Sequence, residues 1–287
     1  MKVIIAFLFV LFICSGCDNS DPADRIPTGG NGGVVRYWTE YAPIVSYDRQ
    51  KVYLVADDTI TNLYSGVYQA SVTNPSRELI FSTEAASAAV RSGFFVYYLQ
   101  NGKLAVYDMY GDSTYMFTFN QIVSDIVLAN DTIIFFCYSS DIYQMNLNNE
   151  SMTKIGEGLL PTIYKEDTIA YLKSLPDNRY GIMLSGVVSD IPDGEIVIDT
   201  FSAASTPLSF AIESQLNRLA YSLVFANGYS INTFNPNTDS YNIVSDSKHY
   251  QVGMVDYNTI LYTGNDGRLH QTNMDGSSRG PFWGTEE

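Results

Sequence analysis

A three-residue strand motif returns about every 42 residues, and this period constrains the fold more than any other feature of the sequence. Each copy places an apolar residue, an apolar or small residue, and an aromatic or apolar residue in a row. The copies lie at residues 52–54, 95–97, 133–135, 169–171, 219–221 and 260–262. Successive copies begin 43, 38, 36, 50 and 41 residues apart, so the chain contains six similar units.

Each unit provides four short strands separated by turn residues, and no helical period persists between them. The pairs Asn101-Gly102, Asn227-Gly228 and Asp266-Gly267 suit tight turns, because Asn, Asp and Gly adopt positive φ at little cost. One four-stranded antiparallel unit cannot bury both of its faces, so the units must stack on one another. Radial stacking at this period predicts an all-β, six-bladed β-propeller of four-stranded antiparallel blades.

The stretch 34–41, VVRYWTEY, precedes the first predicted blade and has the composition of a strand. We expect this N-terminal strand to close the ring by joining the C-terminal blade, because closure removes an exposed edge. Pro281 in the last blade's fourth strand favours an edge position there. The alternative is an extra strand lying across the first blade, whose own first strand is predicted at 43–48.

Blade four is the longest unit, with extra residues around 176–179 and 186–193. Insertions in repeat proteins often lie on a binding face. A long solvated hairpin is the other interpretation, and the sequence leaves both open.

The last unit resembles a known repeat. Residues 258–277 form a strand, a turn and a second strand that ends in Asn273-Met274-Asp275-Gly276-Ser277, with looser copies at 215–234 and 130–147. This pattern resembles the TolB-like six-bladed propeller repeat, over residues 43–283 as architecture, although the fuller Pro-Asp-Gly turn of that family is missing. The resemblance implies a periplasmic or surface propeller that holds proteins, peptides or glycans. No partner-contacting residue of the family can be matched here.

The N-terminus has the features of a bacterial lipoprotein signal. Lys2 precedes an apolar run of eleven residues, 3–13, which is too short to span a bilayer and matches the apolar part of a signal peptide. The following Cys14-Ser15-Gly16-Cys17 resembles the lipoprotein cleavage site, which predicts acylation of Cys17. The alternative is an ordinary secretory peptide with a chance cysteine. We therefore divide the chain into a signal peptide (1–16), a flexible tether (17–33) and a single propeller domain (34–287).

Charge and cysteine content exclude further classes of function. Sixteen Lys and Arg against 31 Asp and Glu give a net charge of -15, which repels phosphate backbones and disfavours nucleic acid binding. Once Cys14 is removed and Cys17 acylated, Cys137 is the one remaining thiol. It lies in an apolar strand and is expected to pack as a small hydrophobic side chain.

The sequence contains no catalytic or metal-binding constellation. The two histidines, His249 and His270, have no Cys or carboxylate cluster at ligand spacing, so we expect no metal and no cofactor. A nucleophile elbow, a P-loop and a dinucleotide fingerprint are all missing. Three pairs of Asp or Asn residues could suggest calcium binding, but none forms a full calcium loop, and such residues are common in turns. The pairs are Asp57-Asp58, Asp190 with Asp193, and Asn265-Asp266.

These features predict a monomeric, membrane-anchored binding or scaffold module of the bacterial cell envelope, periplasm-facing or on the cell surface, with a protein partner. A first alternative is a carbohydrate or small-ligand site in the central funnel. Tyr and Trp with Asp or Asn at the funnel mouth would favour it, whereas an exposed apolar patch would favour a protein partner. A second alternative is a lyase or hydrolase that uses carboxylates of different blades and His249.

Overall fold

The computed structural model describes residues 38–58, 65–119, 121–186, 196–213, 218–226, 228–235 and 239–283. The predicted signal peptide, Cys17, the tether and residues 34–37 lie outside these ranges.

The described chain forms 24 strands in six antiparallel sheets of four. Each sheet uses four consecutive strands, and the predicted six blades are therefore confirmed. Blade one contains β1 (Trp38–Val45), β2 (Lys51–Asp58), β3 (Gly66–Ser71) and β4 (Glu78–Ser82). Blade two contains β5 (Ala86–Ser92), β6 (Phe95–Gln100), β7 (Lys103–Asp108) and β8 (Ser113–Met116). Blade three contains β9 (Val123–Asn130), β10 (Ile133–Tyr138), β11 (Asp141–Asn146) and β12 (Ser151–Glu157).

The remaining strands complete the second half of the ring. Blade four contains β13 (Leu159–Lys165), β14 (Thr168–Leu175), β15 (Arg179–Gly186) and β16 (Ile196–Ser202). Blade five contains β17 (Ser209–Ile212), β18 (Leu219–Phe225), β19 (Gly228–Asn235) and β20 (Asp239–Ser247). Blade six contains β21 (Val252–Met254), β22 (Thr259–Thr263), β23 (Leu269–Asn273) and β24 (Gly280–Pro281).

Contacts between first strands arrange the six sheets as a propeller. β1 contacts β5, β5 contacts β9, and the series continues through β13, β17 and β21 back to β1. The first strand of each blade therefore lines the axis, and its fourth strand lies at the rim. Within the described ranges, we find no helix with the length and apolar character needed to cross a membrane.

Stacked blades explain why the second strands are apolar on both faces. β10, IIFFCY, is buried at five successive positions, because one of its faces packs on blade two and the other on blade four. Cys137 in this strand is buried in the cluster that also contains Ile163 and Tyr171, so it packs as a small hydrophobic side chain, as predicted. The predicted turn at Asn101-Gly102 is also present, with φ values of 51° and 69°.

The N-terminal strand closes the ring, as predicted, but it does so from within blade one. The prediction that residues 34–41 join the C-terminal blade is wrong for the part that the structure describes. Residues 38–41 pair with residues 55–58 of β2, so they extend the first strand of blade one rather than supplying a fourth strand to blade six. That strand begins five residues before the predicted 43–48, because β2 is long enough to pair with the extension.

Backbone and hydroxyl groups join this extension to blade six. The Glu40 N–H donates to the Gly267 carbonyl oxygen at 2.8 Å, and the Thr263 hydroxyl donates to the Glu40 carbonyl oxygen at 2.8 Å. Lys248 Nζ donates to Thr39 Oγ1 at 3.1 Å. Blade six is therefore attached to blade one by individual hydrogen bonds and by apolar packing across the junction, and not by a shared sheet.

The Glu40 carboxylate is buried at the centre of this junction. Its Oε2 accepts hydrogen bonds from the Leu269 N–H at 2.6 Å and from Trp283 Nε1 at 2.8 Å. Arg77 Nε lies 3.1 Å from Oε1 as an ion pair, without the direction of a hydrogen bond, and the Arg77 guanidinium lies over the Trp283 ring at 4.6 Å. Burial raises the pKa of Glu40, and the Arg77 charge is the main effect that opposes the rise.

The substitution Glu40→Gln is expected to lower the free energy of unfolding by about 3 kcal/mol, because it removes one charge of a buried ion pair and can set an amide N–H against the Arg77 Nε–H. Urea unfolding followed by tryptophan fluorescence measures the change. The control is Glu84→Gln, which removes an exposed carboxylate and is expected to change stability by less than about 0.5 kcal/mol. Equal effects of the two substitutions would contradict a structural role for the Glu40 charge.

Candidate functional site

The six first strands enclose a channel along the propeller axis, with a cavity volume of about 490 Å³. This volume lies within the range of small-molecule sites in proteins. Most of the lining is aliphatic, and the polar side chains are few. Those polar and charged side chains belong to Ser46, Arg49, Ser87, Ser124, Asp125, Thr162, Ser209, Tyr250 and Gln251.

Arg49 occupies one end of the channel. It lies in the turn between β1 and β2 with a positive φ of 56°. Its Nη1 donates to the Met254 carbonyl oxygen at 2.9 Å, and its Nη2 donates to those of Tyr164 and Ile212, both at 3.3 Å. These acceptors belong to blades six, four and five, so one side chain of blade one links three other blades across the axis.

The Arg49 guanidinium is partly removed from solvent at this position. Burial lowers the pKa of its guanidinium, and the charges of Glu213 and Asp256 oppose the shift. Since the guanidinium is held by carbonyl groups, this end of the channel is closed by a bonded cation. We refer to it as the Arg49 end.

Irregular first strands form the opposite end. The pairing of β1, β9 and β13 with their neighbours shifts at Ala42, Asp125 and Leu160, each of which has a positive φ of 51–55°. Such β-bulges turn side chains out of their regular alternation. A left-handed backbone is unusual for residues other than Gly, Asn and Asp. Backbone irregularity is therefore concentrated at the end of the channel opposite Arg49, which we refer to as the Asp125 end.

Asp125 is a carboxylate at this bulge, on the channel lining and partly exposed. Burial raises its pKa from 3.8 to about 6, although the Ser124 side chain donates a hydrogen bond to it. Tyr250 lies nearby: burial raises its pKa most, and the Asp125 charge raises it further. The Tyr229 ring meets the Tyr250 ring edge-on, with centroids 5.7 Å apart.

A second polar cluster lies beside the Asp125 end. The Tyr41 hydroxyl is 2.8 Å from both Asp57 Oδ2 and the Ala86 carbonyl oxygen, and burial raises its pKa. The His249 ring stacks on the Tyr41 ring at 4.7 Å. Burial and the Lys248 charge lower the pKa of His249, so its imidazole is neutral at pH 7. The cluster therefore consists of packed and hydrogen-bonded side chains.

The structure separates the two histidines that the sequence offered as candidates. His249 stacks on Tyr41, whereas His270 Nε2 lies 2.9 Å from both carboxylate oxygens of Asp266. Within the described ranges, no group of three or more His, Cys, Asp or Glu side chains is placed to hold a metal ion. Asp190 and Asp193 lie outside those ranges.

Sequence reasoning missed the two charged residues of the channel. Arg49 lies in an ordinary turn sequence, and no neighbouring residue predicts that its side chain contacts three other blades. Asp125 could have been recognised as a candidate from the sequence, because it is an acidic residue near the start of a strand and the next four residues are apolar. A charge in a strand that lines a propeller axis marks a candidate site.

A second feature is an exposed apolar surface on blade two. Nine large hydrophobic side chains are exposed among the described residues, and five of them lie in this one blade. We call the five the blade-two patch: Phe94, Phe95, Tyr110, Tyr115 and Met116. Exposed apolar surface of this kind marks interaction sites on soluble domains.

The rim strand of blade two also lacks the usual protection of a sheet edge. All four residues of β8, Ser-Thr-Tyr-Met, are exposed, and none is charged or proline. The other five described rim strands each contain a charged residue or Pro281. Charges and prolines block pairing with further strands, so β8 is the rim strand best suited to accept one.

Comparison with known proteins supports the fold alone. No protein-family model matches the sequence, and no curated protein matches it. A structure assigned as TolB from Agrobacterium tumefaciens matches with a TM-score of 0.52 and 11% identity, over 85% of this chain and 88% of that one. Hsv2p from Kluyveromyces lactis matches with a TM-score of 0.51 and 10% identity, over 82% of this chain and 75% of that one. The resemblance to a TolB-like propeller is thus confirmed as a resemblance of fold.

The substitution Asp125→Asn is expected to stabilise the protein by about 2 kcal/mol at pH 7, which is less than the ~3 kcal/mol equivalent to the pKa shift because the carboxylate is partly exposed. The folded protein binds the Asp125 proton more tightly than the unfolded chain does, because the pKa rises from 3.8 to about 6 on folding. Ionisation therefore costs stability as the pH rises through this window, and the cost is fully present above about pH 6. Asn carries no charge and avoids this cost.

Urea unfolding at several pH values between 4 and 8 tests this expectation. The difference between variant and wild type is expected to vanish near pH 4 and to reach its full size by pH 7. The control is Asp177→Asn, at an exposed aspartate that also has a positive φ, of 63°. A difference at Asp125 that does not change with pH would show that the carboxylate is not destabilised by its surroundings.

Proposed function

We propose that this protein is a lipid-anchored propeller of the bacterial cell envelope that binds a protein partner along the rim of blade two. The observation that carries the proposal is that two of the five exposed apolar side chains of blade two, Tyr115 and Met116, lie on the one described rim strand that has neither charge nor proline. The anchor rests on the lipoprotein signal in the sequence. The propeller supplies a rigid support for the binding edge.

The anchor consists of acyl chains on Cys17 in this proposal. Acyl chains hold a protein at a membrane surface without spanning the bilayer. Residues 18–33, DNSDPADRIPTGGNGG, are rich in Asp, Asn, Pro and Gly and form the tether between the lipid and the propeller. The partner is therefore one that reaches the same membrane surface.

The substitution Cys17→Ser is expected to move the protein from the membrane fraction to the soluble fraction, because it removes the acylation site. Fractionation of cells that express each form, followed by immunoblotting, measures the distribution. The matched control is Cys14→Ser, which lies within the predicted signal peptide and is expected to leave the protein at the membrane. Retention of the Cys17→Ser variant at the membrane would refute lipidation as the anchor.

The proposed mode of binding is addition of a partner strand to β8. The outer edge of β8 offers backbone N–H and carbonyl groups to an extended segment, since the sheet order places only β7 beside it. Strand addition uses these groups for affinity and side-chain contacts for specificity. Tyr115 and Met116 supply the apolar contacts on the two faces of the strand.

Charge defines the partner segment further. Asp108 and Asp112 flank the start of β8, and Glu150 of blade three lies close enough that its charge, with that of Asp108, adds to the burial that raises the pKa of Tyr115. The whole chain carries a net charge of -15. We therefore assign the partner segment as an extended, apolar stretch flanked by Lys or Arg.

A photo-crosslinking amino acid placed at position 116 in the full lipidated protein tests this mode in native membranes. It is expected to capture one partner peptide with Lys or Arg beside an apolar core, identified by mass spectrometry. Introducing Met116→Lys in the otherwise native protein is expected to reduce recovery of that partner at least tenfold, because it adds a positive charge where the partner is basic.

The matched control is Met152→Lys on β12, since Met152 is 41% exposed and Met116 is 43% exposed. This control is expected to retain the partner. If the two variants lose the partner equally, or if wild-type protein is recovered alone, the proposed docking edge is wrong.

The lyase or hydrolase alternative has less support than the binding alternatives. Its inter-blade carboxylates would have to meet in the channel, and Asp125 is the one carboxylate on the lining that the structure describes. His249 is packed against Tyr41 beside the channel. The small-ligand alternative gains support from Tyr250 and Asp125 on the lining at the Asp125 end, since an aromatic ring and a carboxylate are expected in a ligand site.

A further inference from the structure

The axial channel is closed at one end. The Arg49 guanidinium is bonded to carbonyl groups of blades four, five and six, and these bonds hold it across the axis. Any ligand must therefore enter and leave at the Asp125 end. The cavity behind that entrance measures about 490 Å³, which is enough for a small organic molecule.

The lining determines the charge of such a ligand. Among the described lining residues, Asp125 is the one carboxylate and Arg49 the one cation, and Nη1 and Nη2 of Arg49 already donate to backbone carbonyl groups. Gln251 also lines the channel, and its buried Oε1 has no hydrogen-bond donor in the part of the chain that the structure describes. The cavity therefore has acceptors to offer and needs a positively charged donor.

The other blades show that the fold does not need a carboxylate at this position. Ala42 in blade one and Leu160 in blade four occupy the same kind of bulge, with φ values of 53° and 55° against 51° for Asp125. A neutral residue thus supports the geometry at two of the three bulges. Asp125 brings a charge that is costly to bury, and the one cation on the described lining, Arg49, lies at the opposite end of the channel.

One aromatic ring lies on the channel lining at the entrance, and a second ring packs against it. Tyr250 lines the channel close to Asp125, and the Tyr229 ring meets it edge-on at 5.7 Å. Aromatic faces and a carboxylate attract organic cations, the first through the ring quadrupole and the second through charge. Val127, Ile163 and Ala211 provide aliphatic surface on the lining.

We propose that the channel binds a small organic cation, an amine with a short apolar body, whose ammonium group pairs with Asp125. The apolar body lies against the aliphatic lining, and the Tyr250 ring lies beside the charged group. The ligand is a free solute in the envelope. This site lies on the axis and does not depend on the docking edge at the rim of blade two.

Isothermal titration of the complete protein with hexylamine, hexan-1-ol and hexanoate tests the proposal, because these probes share a six-carbon body and differ in charge. Hexylamine is expected to bind at least tenfold more tightly than hexan-1-ol, and hexanoate is expected not to bind. Asp125→Asn is expected to reduce the hexylamine affinity at least tenfold and to leave that of hexan-1-ol unchanged. The control Asp177→Asn is expected to change neither.

Three outcomes would overturn the proposal: no binding of hexylamine at 10 mM, equal binding of hexylamine and hexan-1-ol, or full retention of hexylamine binding in Asp125→Asn. Circular dichroism of the Asp125→Asn variant verifies that a lost affinity is not a lost fold. Nα-acetyl-lysine amide distinguishes a free amine from a lysine side chain of a protein. If it binds more tightly than hexylamine, the assignment to a free solute is wrong.

Discussion

A propeller exists only if its first and last blades meet, and here a buried carboxylate lies at the centre of that junction, beside an apolar cluster to which both blades contribute. Glu40 in β1 accepts hydrogen bonds from Leu269 and Trp283 of blade six and faces Arg77 of its own blade. Burial alone disfavours this charge, so the partners at the junction determine whether closure is stable. The channel depends on the same junction, because its wall consists of first strands from all six blades. The shape of the candidate ligand site therefore depends on ring closure.

The two ends of the axis differ in chemistry. At one end Arg49 satisfies carbonyl groups of three blades, whereas at the other end bulges in β1, β9 and β13 interrupt regular pairing. Strained backbone and a carboxylate with a raised pKa are together at the second end, and such features are typical of functional sites. Tyr115 and Met116 of the blade-two patch lie on the rim strand β8, and no residue of the patch is on the channel lining. The proposed ligand site on the axis and the proposed docking edge at β8 are therefore separate surfaces.

The sequence predicts the repeat but not the contacts between repeats. Six blades follow from the 42-residue period, and the turn at Asn101-Gly102 follows from its local chemistry. The partner of residues 38–41 does not follow, because strand composition does not distinguish pairing with β2 from pairing with blade six. The two charged channel residues are even harder to predict from the sequence, since Arg49 and Asp125 lie 76 positions apart and only the closed ring of blades places them on one axis. His249 was recognisable as a candidate, but its stacking on Tyr41 depends on a contact 208 residues away in sequence.

The position of Glu40 has a mechanical consequence. It lies near the beginning of β1, so a pull on the preceding N-terminal segment enters the fold at the junction of the first and last blades. Because β1 runs along the axis and its hydrogen bonds to β2 lie across it, such a pull loads these bonds in shear, many at once, instead of unzipping them singly. The strand that closes the ring is thus also the one oriented to resist tension.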